Sequence, residues 1–486
     1  MTDPTQVFPE LVYAHASPHS VGGISLFEAD SPVRASNVTN FHSLESLRQQ
    51  AAQRLAAAGF TILQVSPVTI NIAGPLSLYE RVFHTTVCAQ ERPVLKSGAR
   101  ASTAIFLDSP DTEQRGLIST AGTDFADLLE GVALDEPRWP MALAASPPEV
   151  PYWHLSVPDA LSTALRADTV HAQGVTGRGV NVVMTDTGHY SAHPYFQTHG
   201  YHIAPVVLAP GATEPDQDAS GHGTAQSANL LAVAPDCAFT MVKMSFVNAI
   251  GALHAAIARQ PRIISCSWGS DVPQGPLSAA DQALAAAVAT AVASGIVVVA
   301  SAGDGQRSLP GQCPDVLSAG GVFLHPDGAL EASDYSSGFT SQVYLDRIVP
   351  DVCGLVGMRP RGVYLMLPTA PGGVLDHEVA TLGGYPAGDE TAADDGWVAL
   401  SGTSAAAPQL AGVLALLLQV NPALRPDQLI DVLRRTARPV QAGHSYQNVP
   451  AAPGPDGASG CGLVDAQAAL DLVLDRARVS SEVRYA

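Results

Sequence analysis

"LSAADQALAAAVATAVASGIVVVASAGDGQ", residues 277–306, decides how the chain is read. An alanine-rich apolar run reaches Gly295 and then changes into Ile-Val-Val-Val-Ala. The first part predicts a helix and the β-branched part a strand, with the glycine marking the boundary. Residues 282–303 carry no charge, so the stretch is long enough to imitate a membrane span. The interruption at Ala293-Ser294-Gly295 favours a buried helix turning into a buried strand. That strand closes on an acid, Asp304, between two glycines.

The same alternation continues on both sides. "GVNVVMTD", "AFTMVKM" and "RIISCSW" are strand-like, while "GTAQSANLLAV", "NAIGALHAAIARQ" and "AAAPQLAGVLALLLQV" are helix-like. Strands that lack polar alternation and are separated by helices predict an α/β fold, a doubly wound and mostly parallel sheet covered on both faces. Ligands of such sheets bind beyond the carboxyl ends of the strands. Ahead of this region, residues 23–83 read strand, helix, strand, strand, helix, beginning with "GISLFEA". That order opens a ferredoxin-like α+β unit. Between the two regions, "DEPRWPMALAASPPEVP" (residues 135–151) holds five prolines and predicts an exposed, protease-sensitive linker. The division expected is therefore 1–134, a linker at 135–152, and 153–486. Residues 339–395 read as surface loops with one or two strands.

The chain has 486 residues, 25 basic against 45 acidic, for a net charge of −20. That balance argues against nucleic acid and anionic membranes as partners. Six scattered cysteines include no C-x-x-C pair, which predicts mostly buried thiols with any pairing left open. The first thirty residues lack a basic start followed by an apolar run, so no secretory signal is visible, and a cytoplasmic location or export by another route is expected.

Three short motifs carry chemistry. "VNVVMTDTGH" ends a strand in Asp186, where a carboxylate can orient an imidazole, although an aspartate before Thr-Gly is ordinarily a turn residue. "DASGHGTAQ" places His222 between glycines at a helix start, open to both a nucleophile and a carboxylate; taken alone it is a loop histidine. "LSGTSAAAP" places Ser404 at the electropositive start of a long apolar helix, where an isolated serine is usually a cap. Together, each at a strand end or helix start, they form the Asp, His, Ser order of one class of α/β serine peptidase.

On these motifs the chain resembles the subtilisin-like serine peptidases across roughly residues 153–472. The resemblance implies that Ser404 attacks the scissile carbonyl, His222 takes and returns the proton, and Asp186 holds the imidazole. It also implies that "SCSWGS" pairs with the substrate backbone, with Ser267, Trp268 and Gly269 beside the cleaved bond. "ASAGDG" falls where subtilisins carry an asparagine that binds the oxyanion. Here it is Asp304, as in the related sedolisins and kumamolisins, whose propeptide the N-terminal region also resembles. Unlike sedolisins, this chain has a histidine at 222 and Gln226 one turn on, where that family has acids. No metal is expected at either family's calcium position, and no cofactor.

A carboxyl group donates a hydrogen bond only when protonated, so an ionised Asp304 would repel an oxyanion. Burial that raises its pKa would reconcile it with a neutral His222. The function expected is a serine endopeptidase made as a self-processing zymogen, monomeric, with a mildly acidic optimum. Protein or peptide substrates and its own prodomain would be its partners. A silent peptide-binding module is the alternative, and an esterase or ligase would use the same triad.

Overall fold

The computed structural model describes residues 9–29, 32–96, 100–140, 153–359, 363–381 and 389–485. Its centre is an eight-stranded sheet. The order runs Val207–Leu208, Ala238–Lys243, Asn181–Asp186, Ile263–Cys266, Val297–Ser301, Leu317–Leu324, all parallel, and Val352–Leu355 adds a further parallel strand. Only Leu330–Ala332 runs antiparallel. Successive side chains go to opposite faces. Val182, Met184, Val297 and Val299 pack under the helices His222–Val233 and Thr403–Val420, whereas Val183, Val298 and Ala300 pack under Ala249–Ile257 and Ala279–Ala293. Burial on both faces is why these strands read as unbroken apolar runs. The chain winds to one side of Asn181–Asp186 and then to the other, so the crevice of this sheet opens above Asp186.

The N-terminal region builds its own antiparallel sheet, in the order Thr61–Val65, Ile70–Gly74, Val12–Pro18, Leu129–Leu134, Leu117–Ile118. Helices Glu45–Ala58 and Leu76–Phe83 complete a ferredoxin-like unit. A long hairpin, Cys88–Lys96 with Arg100–Asp108, is inserted after the second helix. The expected strand at residues 23–29 does not form. Adjacent Leu26 and Phe27 are both buried, and the N–H of Leu26 donates to the Glu130 side chain rather than to a neighbouring strand. The first strand lies upstream instead, in "VYAHASP", which pairs on both sides.

This sheet sits on the alanine helix quoted above. Ala279, Ala286 and Ala289 face Leu26, Phe27, Val38, Phe41 and Ala133, while Leu284, Val288 and Val292 face the parallel sheet. A helix gripped between two sheets is apolar all round, which is what the sequence showed. Nearby, Asn71 Nδ2 donates to Asn248 Oδ1 at 2.7 Å, the same oxygen that caps the helix Ala249–Ile257.

The reading of residues 135–151 as an exposed linker fails for its first part. Glu136 and Arg138 are buried. Arg138 Nη1 bonds Asp281 Oδ1 at 2.9 Å and also donates to Ser270 Oγ, a long-range pairing that no local pattern announces. Burial and the neighbouring Asp281 push the Glu136 carboxyl up to about 7, against the pull of Arg138 and Arg115. Residues 141–152 lie outside the described residues. The region 339–395 is also more ordered than expected. Its described part holds four strands and the helix Val374–Thr381, and Val352–Leu355 is a fully buried member of the main sheet. All six cysteines are free thiols, four of them buried.

Candidate active site

Asp186 ends the strand at the sheet's crevice, His222 opens a helix, Ser404 lies in the first turn of the long buried helix Thr403–Val420, and Asp304 follows Val297–Ser301. All four are buried, none more than 1% exposed. His222 Nδ1 is 2.7 Å from Asp186 Oδ1, which also accepts the N–H of Thr187 at 2.7 Å. Gly223 is required because a Cβ there would run into the carbonyl of Gly188, which is how the histidine loop approaches the Asp186 loop so closely.

Ser404 and Ser267 are tied reciprocally. Ser404 Oγ donates to Ser267 O at 3.1 Å, and Ser267 Oγ donates to Ser404 O at 2.9 Å. His222 Nε2 meets the Gln226 amide at 3.3 Å instead of the serine hydroxyl. The serine and the imidazole are therefore each held by another partner in this state.

Ser267 leads into the strand Trp268–Asp271, which has a neighbour on each edge. On one side lies Ser308–Leu309. A Cβ on Gly269 would stand 2.6 Å from both Leu309 O and Ser308 Oγ, so only glycine allows this pairing. On the other side lies Trp139–Pro140, antiparallel, with Gly269 opposite Trp139 and Trp268 opposite Pro140. The segment that follows the N-terminal sheet thus occupies the edge where a peptide backbone would add as a strand. Trp268 departs from its expected role. Its indole Nε1 donates to Thr185 Oγ1 at 2.8 Å and its ring belongs to the core under the sheet, so it offers the cleft only its backbone.

Asp304 is held by its loop rather than by a counter-charge. Its N–H donates to Gln306 Oε1 at 2.8 Å, and the N–H of Gly305 donates to Ser337 Oγ at 3.0 Å. Its Oδ1 accepts the N–H of Thr403 at 2.9 Å, next to Ser404, while Oδ2 has no hydrogen-bond partner among the described residues. Burial pushes the carboxyl up to about 8, with the Thr403 hydrogen bonds pulling the other way. The inserted hairpin reaches this loop too, since Leu95 O accepts Gln306 Nε2 at 3.3 Å.

Asp218, four residues before His222, went unnoticed in the sequence, although a carboxylate just ahead of "GHGT" was its visible signal. It is buried, and its Oδ1 accepts Thr187 Oγ1 at 2.7 Å and the N–H of Gly221 at 3.0 Å. Its Oδ2 accepts the N–H and hydroxyl of Thr224 at 2.8 and 2.7 Å. One side chain thereby fixes the loops on both sides of the Asp186–His222 pair. Asp218→Ala is expected to cost about 3 kcal/mol or more in a urea unfolding curve, since four charge-assisted bonds go at once. It should lower kcat as well; full stability would show that the loops hold without it.

A family model described as the subtilase family matches residues 177–462, more than half of the chain. Subtilisin of Bacillus pumilus is 29% identical over 337 residues, covering 65% of this chain and 98% of that protein. Subtilisin E of Bacillus subtilis (strain 168) is 29% identical over 338 residues, covering 65% and 71%. Among solved structures, fervidolysin from Fervidobacterium pennivorans, a keratinolytic enzyme related to subtilisin, superposes with a TM-score of 0.54 at 16% identity, a likeness of fold. That match covers 95% of this chain and 61% of fervidolysin, so this chain spans less than two thirds of that structure. The residues matched by the family model take in the whole parallel sheet and the starts of the helices that carry His222 and Ser404. The chain therefore belongs to the subtilase family, and it is a serine endopeptidase.

Proposed function

We propose that this peptidase works through an acyl-enzyme formed on Ser404, is made as a self-processing zymogen, and uses protonated Asp304 as an oxyanion donor. The observation that carries the zymogen reading is the pairing of Trp139–Pro140 with the cleft strand. A chain that lays its own segment along the substrate edge, while Ser404 turns to Ser267 O, is blocked and poised to cut nearby.

In the reaction, Ser404 gives its hydroxyl proton to His222 Nε2 as it attacks the carbonyl, and Asp186 steadies the imidazolium through Nδ1. The proton passes to the leaving amine, and water releases the acyl group by the same route. The carbonyl oxygen becomes negative beside the backbone N–H of Ser404, at the start of its helix, and the Asp304 carboxyl. This donor is present while Asp304 keeps its proton, so activity is expected on the acid side of about pH 8. An aspartate in this place and a ferredoxin-like prodomain are the traits shared with sedolisins, grafted here on a subtilisin triad.

N-terminal sequencing of the purified full chain tests the zymogen reading. Pro140 is still paired in the cleft and Trp153 already pairs with Val363 in the peptidase region. A new end is therefore expected between residues 140 and 153, and none in Ser404→Ala. An intact chain in active wild-type protein would remove self-processing.

A further inference from the structure

Gln226 lies one helical turn beyond His222 and belongs to a chain of buried amides. Its Oε1 accepts Asn229 Nδ2 at 3.1 Å, and Asn229 Oδ1 accepts Gln409 Nε2 at 3.2 Å. Gln409, on the Ser404 helix, closes on the backbone of Leu355: its Oε1 accepts that N–H at 2.7 Å, and its Nε2 donates to that carbonyl at 3.0 Å. All three amides are 0% exposed, so no bulk water reverses them.

The direction of this chain follows from its anchor. A backbone N–H can only donate, so the oxygen of Gln409 faces Leu355 and its nitrogen faces Asn229. Asn229 must then present oxygen to Gln409 and nitrogen to Gln226, which leaves Gln226 with its NH₂ toward His222 Nε2, 3.3 Å away. For that contact to be a hydrogen bond, Nε2 carries a lone pair and the ring proton sits on Nδ1, toward Asp186 Oδ1.

We infer that Gln226 is a positioning residue for the catalytic imidazole: anchored through Asn229 and Gln409 to the backbone of Leu355, it presents a fixed N–H donor that holds His222 in its neutral, base-ready tautomer. This rests on the triad reading above. An imidazolium would aim a second N–H at the amide, so the contact is a hydrogen bond only with the neutral ring. To react, the Ser404 hydroxyl leaves Ser267 O and takes the lone pair over from the amide.

Other titratable groups stand on the elements around His222. They are Asp186 and His189 from the strand beneath and its loop, Asp218 from the loop before the helix, and Cys266 and Asp304 from the neighbouring strand ends. Asp159 and Tyr364 lie on the remaining packed elements, and the Ser404 helix has none. Among the described residues only Asp186 and Gln226 hydrogen-bond the ring, at Nδ1 and Nε2.

The test is the pH dependence of the rate of fluorophosphonate labelling at Ser404 in the purified full chain, since this rate needs a neutral His222 and no particular substrate. Gln226→Glu exchanges the donor for an acceptor of the same shape and is expected to raise the midpoint of the acid limb by about one to two pH units. Gln226→Met removes the donor without a charge and should raise it by less, and it decides the matter if the buried carboxylate prevents folding. A merely structural role would lower the rate at every pH and leave the midpoint in place. An unmoved midpoint in Gln226→Met, and in Gln226→Glu where it folds, overturns the inference. Labelling that persists in Ser404→Ala would overturn the triad reading instead, so the two failures are told apart.

Discussion

Ser404→Ala is expected to lower peptide hydrolysis by on the order of 10⁶-fold and to abolish fluorophosphonate labelling. The structure makes this a clean experiment. Among the described residues Ser404 Oγ makes a single hydrogen bond, to Ser267 O, and the carbonyl of Ser404 still accepts Ser267 Oγ when the hydroxyl is gone. The helix Thr403–Val420 is already alanine-rich in its first turn, so the variant should unfold at nearly the wild-type urea concentration. Activity lost with stability kept assigns the loss to chemistry. Labelling that survives in the variant would mean that another residue is the nucleophile.

Asp304→Asn should produce the second large effect, and its sign depends on pH. The wild-type carboxyl is held up to about 8, so the donor form exists below that value and disappears above it. The amide donates at every pH. Wild-type kcat/KM should therefore fall through a basic limb near pH 8, and the variant should lack this limb. Asp304→Ala, with no donor at all, should lose on the order of 10²–10³ in kcat across the range. Stability follows the same linkage. An unfolded aspartate releases its proton near pH ~4, so between there and about 8 the folded chain binds more protons than the unfolded one. The stabilising contribution is whole below the unfolded value and is lost as pH rises through the folded one. Asp304→Asn should match wild type near pH 4 and exceed it in Tm at pH 8; identical pH profiles for rate and Tm would show that Asp304 carries no proton in the working enzyme.

The parallel sheet was legible because its strands are apolar on both faces, a pattern that Val297, Val298 and Val299 display without help from context. Asp186, His222 and Ser404 were legible because each sits where chain geometry demands glycine neighbours or a helix start. What stayed hidden depends on partners distant in sequence. "GISLFEA" alternates like a strand, yet Leu26 and Phe27 bury together against a helix some 250 residues away. Arg138 looks like an exposed linker charge until Asp281 is placed beside it. Trp268 sits in a cleft motif but bonds back to Thr185. Gln226, Asn229 and Gln409 look unremarkable in apolar helices, and only their contacts give them a direction.

The alanines that face the N-terminal sheet have a further meaning if that sheet departs after cutting. A methyl group brought back to water costs only about 0.8 kcal/mol, so Ala279, Ala286 and Ala289 would leave behind a shallow, weakly sticky surface. The larger side chains at this seam, Leu26, Phe27, Val38 and Phe41, all belong to the departing piece. The two sides of the seam are thus unequal by composition: the released fragment carries away most of the greasy area and is the partner prone to unfold or aggregate. The enzyme that remains keeps a smooth, small-residue back that needs no replacement cover.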